Sequence, residues 1–198
     1  MSETEFLIGR RGLDLIDDFY PDDLPSEWRF DFYSTLFKAL SLPIDTKEDL
    51  ELIFEELEDS DEEFELVLTI ESHQLLDIKT LSALLSVVEP YQSWFILSCE
   101  LDQQPSAEVM ALLGAYRVSF QSDIQYDLNL NNKQAMGQYL YYSHLPVFNM
   151  QGSGGDDRQM RVNIEKIAEI NARTILICKD AESEALHKIR VIAEILGY

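Results

Sequence analysis

Short apolar segments recur along the chain and alternate with amphipathic helical patterns. Seven of these segments have the length and composition typical of buried strands: FLIG (6–9), LSLPI (40–44), FELVLTI (64–70), WFILSC (94–99), YRVSF (116–120), PVFNM (146–150) and TILIC (174–178). Their starts are about 22 to 35 residues apart, which leaves room for a helix between successive strands. This order predicts an α/β fold of repeated right-handed βα units with a parallel sheet.

Polar capping residues and helix breakers mark the ends of the intervening helices. Ser26 precedes an apolar stripe that starts at Phe30, and Asp45, with Glu48 three residues later, is predicted to cap the next helix. Four further boundaries are predicted at residues that commonly start or stop helices: Pro90, Ser106, Gly114 and Gly197.

Two architectures agree with this alternation, a doubly wound open sheet and a closed barrel. No G-x-G-x-x-G or G-x-x-x-x-G-K-S/T motif follows the first strand, so the nucleotide-binding open sheets lose their main support. We therefore predict a TIM-barrel-like (β/α) barrel that forms a single domain over residues 1–198. The segment between Phe120 and Pro146 is too short for a full strand, helix and return, so we expect about seven βα units and incomplete closure.

Charge narrows the classes of partner. The 198 residues carry a formal net charge of -22, and the first 100 residues contain 25 of the 37 acids but only 6 of the 15 bases. An acidic field repels phosphate backbones and anionic lipid, and we find no basic patch, so we expect neither nucleic-acid nor membrane binding. The opening residues MSETEFLIGRR have acids where a secretory signal carries cations, which predicts a cytoplasmic protein.

The first 37 residues resemble a known family. The segment FLIGRRGLDLIDDFYPDDLPSEWRFDFYSTLF is similar to the opening of the domain of unknown function 72 family, and later segments agree with it in order and spacing. The matching residues are Gly9, Gly12, Phe19, Tyr20, Pro21, Leu24, Pro25, Trp28, Tyr33 and Phe37. The resemblance implies a TIM-barrel-like fold, usually in a longer chain, and no established activity.

Several family positions at the open ends of the strands differ in this chain. Asn149 and Gln151 stand where the family has Arg and His, and Lys179 with Asp180 stands where it has paired Asn. The Glu, Arg and His of its fifth strand correspond to Ser119, Gln121 and Ser122. Compared with the family that it resembles, this chain therefore lacks the usual polar residues at the ends of the strands.

Candidate catalytic groups are expected at the carboxyl ends of the strands, where the loops of a barrel surround one opening. Glu71 and His73 follow the third strand, and Lys179 and Asp180 follow the last. If they met across the opening, opposite charges could separate their pKa values into an acid and a base. The alternative is that they are ordinary loop charges that pair with one another.

Candidate ligand-binding groups come from the same end of the predicted barrel. Arg10 and Arg11 end the first strand, and a glycine-rich bend before a helix suits backbone binding of phosphate. The residues of this bend are Gln151, Gly152, Gly154 and Gly155. Asp156 and Asp157 oppose an anion there, and we favour helix capping over phosphate binding.

No cofactor or metal is expected. His73, His144 and His187 have no partner at ligand spacing, and Cys99 and Cys178 lie in apolar strand segments where burial is expected. We therefore expect a non-catalytic binding or interaction protein on a degenerate barrel, with a second copy of the chain or a small molecule as partner. The alternative is a hydrolase-like enzyme that acts on a small phosphorylated or sugar-like substrate at the rim.

Overall fold

Strands and helices alternate along the chain, as the apolar pattern predicts. The structure is a computed structural model, and it describes residues 5–15, 19–60, 63–121, 134–136, 141–143, 156–169 and 173–198, with the backbone alone for 134–136 and 141–143. The strands are β1 (Glu5–Arg11), β2 (Ala39–Pro43), β3 (Glu65–Ile70), β4 (Phe95–Glu100), β5 (Val118–Gln121), β6 (Gln134–Met136), β7 (Tyr141–Ser143) and β8 (Arg173–Cys178). The helices are α1 (Arg29–Ser34), α2 (Leu50–Asp59), α3 (Ser72–Leu76), α4 (Ile78–Val88), α5 (Ala107–Leu113), α6 (Asp157–Ala168) and α7 (Ser183–Leu196).

All strand pairs in the sheet are parallel. The strand order is β6-β5-β4-β3-β2-β1-β8-β7, in which every pair of neighbours except β1 and β8 is consecutive along the chain. The six longer strands form a curled half-barrel, and β6 and β7 extend its two ends. The predicted strand at 146–150 lies outside the described residues. The sequence pattern missed β6 and β7 because three residues are too few to show an alternation.

The sheet has two different faces. On the convex face, large side chains such as Leu40, Leu66 and Phe95 pack against the helices in the main core. Alternate residues of the same strands point to the concave face, because successive strand side chains point in opposite directions. These form a second, smaller cluster that consists of Leu7, Ala39, Val67, Ile96, Ile175 and Ile177.

Ion pairs between distant strands demonstrate the curl. The Arg173 guanidinium on β8 lies 2.9 Å from the Glu65 carboxylate on β3, although β1 and β2 lie between these strands. In a flat sheet three strand spacings amount to about 14 Å. The sheet is therefore bent enough for side chains of β8 and β3 to meet across the concave face.

One predicted helix cap is wrong. Asp49, not Asp45, is the N-cap of α2, and its carboxylate accepts a hydrogen bond from the Leu52 N–H at 3.2 Å. A turn closed by the Thr46 N–H and the Pro43 carbonyl at 3.0 Å follows β2, so the helix begins later than the pattern suggests. Asp45 instead accepts a hydrogen bond from the side-chain amide of Gln74 at 3.2 Å.

Other helix boundaries agree with the sequence. Ser106 caps α5 through the Val109 N–H, and Asp156 caps α6 through the backbone N–H groups of Arg158 and Gln159. Gly197 ends α7 in the left-handed conformation, with φ of 85°. The capping role expected for Asp156 is therefore confirmed.

Candidate functional site

The concave face ends in polar side chains at its carboxyl edge. In five of the six longer strands, the residues that alternate with the convex core continue to a polar residue at or just beyond the strand end. This set, which we call the rim, consists of Arg11, Glu71, Glu100, Gln121 and Lys179. The carboxyl edge of a curled parallel sheet is where βα loops place binding and catalytic groups.

One side of the rim is a three-residue charge cluster. The Arg11 guanidinium lies 3.6 Å from one carboxylate oxygen of Glu71, and Nδ1 of His73 lies 3.3 Å from the other. The Glu71 side chain is 49% exposed and that of His73 is 73% exposed, so water screens both contacts. The structure thus brings together the predicted residues Arg11, Glu71 and His73.

Glu71 also has a structural role. It precedes α3, and its backbone N–H donates a hydrogen bond to the Gln74 side-chain oxygen at 2.9 Å. This contact, typical of a capping box, fixes the first turn of a helix only five residues long. The sequence pattern missed α3 because one helical turn is too short for apolar periodicity.

A second ion pair spans the rim from its opposite sides. The Lys179 Nζ, just after β8, lies 3.3 Å from Oε1 of Glu100 at the end of β4. The predicted partner of Lys179, Asp180, is exposed. Of the four candidate catalytic residues, Glu71 and His73 therefore contact each other, whereas Lys179 pairs with Glu100, which follows the same register pair as Glu71 on the neighbouring strand.

Arg10 is buried on the helix side of the sheet. Its guanidinium lies 3.8 Å from the Glu182 carboxylate, and its Nε donates to the backbone carbonyl of Arg11 at 3.1 Å. Its backbone N–H donates to the hydroxyl of Tyr33 at 3.0 Å. The structure separates Arg10 from Arg11 because adjacent strand residues point to opposite faces. The remaining predicted ligand-binding residues, Gln151, Gly152, Gly154 and Gly155, lie outside the described residues.

Small hydroxyl side chains lie beneath the rim on the concave face. Thr69 donates a hydrogen bond to the Leu42 carbonyl at 3.0 Å, and Ser119 accepts one from the Gln121 amide at 2.8 Å. Ser98 lies between them in register and is fully buried. Because all three hydroxyl residues are at most 2% exposed, they form a packed floor and the accessible groups belong to the rim.

The opposite edge of the concave face holds an ionic cluster that the sequence analysis did not identify. Arg173 contacts the carboxylates of Glu5, Glu63 and Glu65 at 3.2, 2.8 and 2.9 Å, and Arg117 contacts Glu65 at 3.3 Å. Burial and a hydrogen bond with Glu63 raise the pKa of Glu5 to about 7, and the same hydrogen bond lowers the pKa of Glu63. The signal that could have indicated this cluster is the presence of charged residues at the starts of β1, β3 and β8, at positions whose side chains point to the concave face.

The two cysteines are buried, as expected from their strand positions. Cys99 and Cys178 are fully buried free thiols on the convex face. Burial raises the pKa of both thiols, which keeps them protonated and poor nucleophiles. Both residues act as small hydrophobic side chains of the core.

Charges in the rim balance one another. Arg11 faces Glu71 and Lys179 faces Glu100, so the rim leaves no excess cation for a phosphorylated ligand. Hydrogen-bonding groups remain available to neutral and cationic molecules. Within the described ranges, no group of three His, Cys, Asp or Glu side chains is arranged to hold a metal ion. No helix among the described residues is long and apolar enough to span a bilayer.

Comparison with known proteins identifies no relative of this chain. No known family matches the chain, and there is no significant match to a characterised protein or a solved structure.

Proposed function

We propose that this chain is a non-catalytic binding protein that uses the carboxyl end of a TIM-barrel-like scaffold. The observation that supports this function is that Arg11 and Lys179, the two cations of the rim, each contact a carboxylate. Lys179 forms its ion pair with Glu100, whereas Glu71 contacts Arg11 and His73. A general acid or base must reach the reacting atom of the substrate, and a side chain in an ion pair is directed towards its partner instead. Here each cation is held by a carboxylate, which suits recognition of a ligand rather than proton transfer.

The spacing of the two shortest strands supports a barrel-like scaffold. Only the four residues 137–140 separate β6 from β7, which lie at opposite ends of the strand order. A chain of that length spans at most about 18 Å between the strand ends. In a flat sheet of eight strands the two end strands would be about 34 Å apart. A sheet whose ends approach one another therefore fits the chain best, and a barrel shortened at its sixth unit is the scaffold in this proposal.

Membership of the domain of unknown function 72 family is part of the same proposal. Four of the residues that carry this resemblance pack together in the structure. Phe19 lies 4.7 Å from Tyr20 and 5.9 Å from Phe37, and Tyr33 lies 5.2 Å from Phe37, measured between ring centroids. Aromatic contacts of this kind stabilise the start of the fold. The resemblance thus concerns the scaffold, and it leaves the ligand open.

A cytoplasmic homodimer completes the proposal. The described strands β6 and β7 pair with β5 and β8 but not with each other, so each leaves hydrogen-bonding groups that a second subunit can cover. In the strand order, β6 and β7 each have one described neighbour. Equilibrium sedimentation at tens of micromolar tests this part, and a clean monomer would contradict it.

A hydrolase-like enzyme is the second candidate, and the 3.3 Å contact between Glu71 and His73 is the observation in its favour. The test incubates the protein with p-nitrophenyl phosphate and p-nitrophenyl glycosides, in parallel with the Glu71→Gln and Lys179→Met variants. We expect no release of nitrophenol above the buffer rate in any sample. Turnover by the unmodified protein that either substitution abolishes would overturn the non-catalytic function.

A further inference from the structure

A small cavity lies beside the rim, between α3 and the loop that follows β4. Its volume is about 160 Å³. Its walls include Ser72, Leu75, Leu76, Glu100, Leu101 and Asp102. Since one water molecule takes about 30 Å³ of liquid volume, the cavity has room for a short unbranched chain of about five heavy atoms.

The polar side of this cavity is negative. Glu100 and Asp102 both line it, and none of the described residues that line it is a Lys or an Arg. The Asp102 carboxylate accepts a hydrogen bond from the Ser72 hydroxyl, which orients it without neutralising it. Glu100 shares its charge with Lys179 at 3.3 Å. Among the described residues, a ligand in the cavity therefore meets one carboxylate whose only contact here is a hydroxyl, Asp102, and one that is paired with a lysine, Glu100.

The other side of the cavity is apolar. Leu75 and Leu101 are buried, whereas Leu76 is 64% exposed at the cavity edge. Exposed leucine next to a carboxylate is the arrangement expected for a ligand with an apolar stem and a charged end. Binding removes the apolar surface of the stem and of Leu76 from water, and it places the charge of the ligand next to the Asp102 carboxylate.

We propose that this cavity binds the end of an alkylammonium or alkylguanidinium group, with the nitrogen at Asp102 and the alkyl stem on Leu76. This inference rests on the proposed function as a binding protein, and it names the ligand class. An anion would meet two carboxylates and the field of a chain with a net charge of -22. A purely apolar ligand would desolvate Asp102 without replacing its hydrogen bonds to water.

The test is a titration of the full chain with n-butylammonium chloride, followed by NMR of the backbone amides. We expect saturable shifts confined to residues 72–76 and 100–106. Butan-1-ol has the same stem without the charge and should bind at least tenfold more weakly, because a charge-assisted hydrogen bond is lost. The absence of saturable shifts, or equal binding of the alcohol, would overturn the inference.

Matched variants separate this site from the general acidic field. Asp102→Asn should raise the Kd for n-butylammonium about tenfold. Asp23→Asn makes the same change in net charge at an exposed position that does not line the cavity, so it should leave the Kd within about twofold. Equal weakening by both variants would show a non-specific attraction and contradict the site. If Asp102→Asn does not fold, the comparison with butan-1-ol on the unmodified protein decides.

A lysine peptide identifies the source of the cation. Acetyl-Gly-Lys-Gly-amide that shifts the same amides with a similar Kd indicates the side chain of a protein partner, whereas binding of the free amine alone indicates a small metabolite. Either result supports the cation site. If neither the peptide nor the free amine binds, the proposed site is wrong. The nitrophenol assay measures turnover independently of binding in the cavity. The cation site can therefore be wrong while the non-catalytic function is right, and the non-catalytic function can be wrong while the cation site is right.

Discussion

The Nζ of Lys179 lies 3.3 Å from Oε1 of Glu100, although three strands separate β8 from β4 in the sheet. In a flat sheet these two strands would be about 19 Å apart, farther than the two side chains together can extend. This ion pair therefore exists only because the sheet is curled, and its coupling energy reports on the curvature at the rim.

A double-mutant cycle with Lys179→Met and Glu100→Gln should show that the two residues interact. Both side chains are partly exposed, at 22% and 39%, so solvent limits the expected coupling in the free energy of unfolding to about 0.5 kcal/mol. Urea denaturation of the four proteins measures it. Arg161 and Lys179 give a control cycle that should show additive changes, since Arg161 pairs with Glu165 on α6. Additivity in the first cycle would contradict the contact.

The Tyr33 hydroxyl connects the first two strands. It accepts a hydrogen bond from the Arg10 N–H at 3.0 Å and donates one to the Ala39 carbonyl at 2.8 Å, in a fully buried position. Tyr33→Phe leaves both backbone groups without this partner and should lower the free energy of unfolding by about 2 kcal/mol. Tyr91→Phe is the control in urea denaturation. It removes the same hydroxyl group but keeps the ring, which stacks on Phe54 at 4.3 Å. A loss for Tyr33→Phe no larger than that of the control would refute the bridging role.

Gly9 is required by the close approach of β1 and β2. A Cβ atom at this position would lie 1.7 Å from the Ala39 carbonyl oxygen, a backbone atom that can move only if the strands separate. Gly9→Ala should therefore destabilise the protein by about 3 kcal/mol or more. Gly114→Ala provides the contrast, since its Cβ would meet nothing closer than 3.4 Å, and it should change stability by less than about 1 kcal/mol. Similar thermal midpoints for the two variants would count against this packing.

Stability should depend on pH through Glu5. Its pKa is raised from 4.5 to about 7 by burial and by the hydrogen bond with Glu63. A folded-state pKa above the unfolded value gives stabilisation that is complete below about pH 4.5 and is lost as the pH rises through 7. Because the Glu5 side chain is 30% exposed, solvent reduces the expected loss to about 1 kcal/mol between pH 5 and 8.

The Glu5→Gln variant isolates this effect. A neutral amide replaces the protonated carboxyl, so the difference in the free energy of unfolding between the two proteins should change by about 1 kcal/mol from pH 5 to pH 8. Urea denaturation at several pH values measures this difference, in which the acids that do not contact Glu5 cancel. Parallel pH profiles for the two proteins would show that Glu5 titrates normally.

Local patterns determined the elements of this protein. The apolar segments predicted six of the eight described strands in whole or in part, namely β1 to β5 and β8. The seventh predicted segment, 146–150, lies outside the described residues. Ser106, Asp156 and Gly197 bound their helices as predicted, because capping depends on residues within one turn. Burial of Cys99 and Cys178 follows equally from their apolar strand context.

Only the tertiary structure decided which charges meet. The sequence places Arg10 beside Arg11, yet strand parity directs them to opposite faces, where they contact Glu182 and Glu71. The pairing of Lys179 with Glu100 depends on the curvature of the sheet, which no spacing along the chain records. Local structure depends on neighbours in sequence, whereas the arrangement of a site depends on how the strands curl and register, and so the elements were predictable and the partners of the site residues were not.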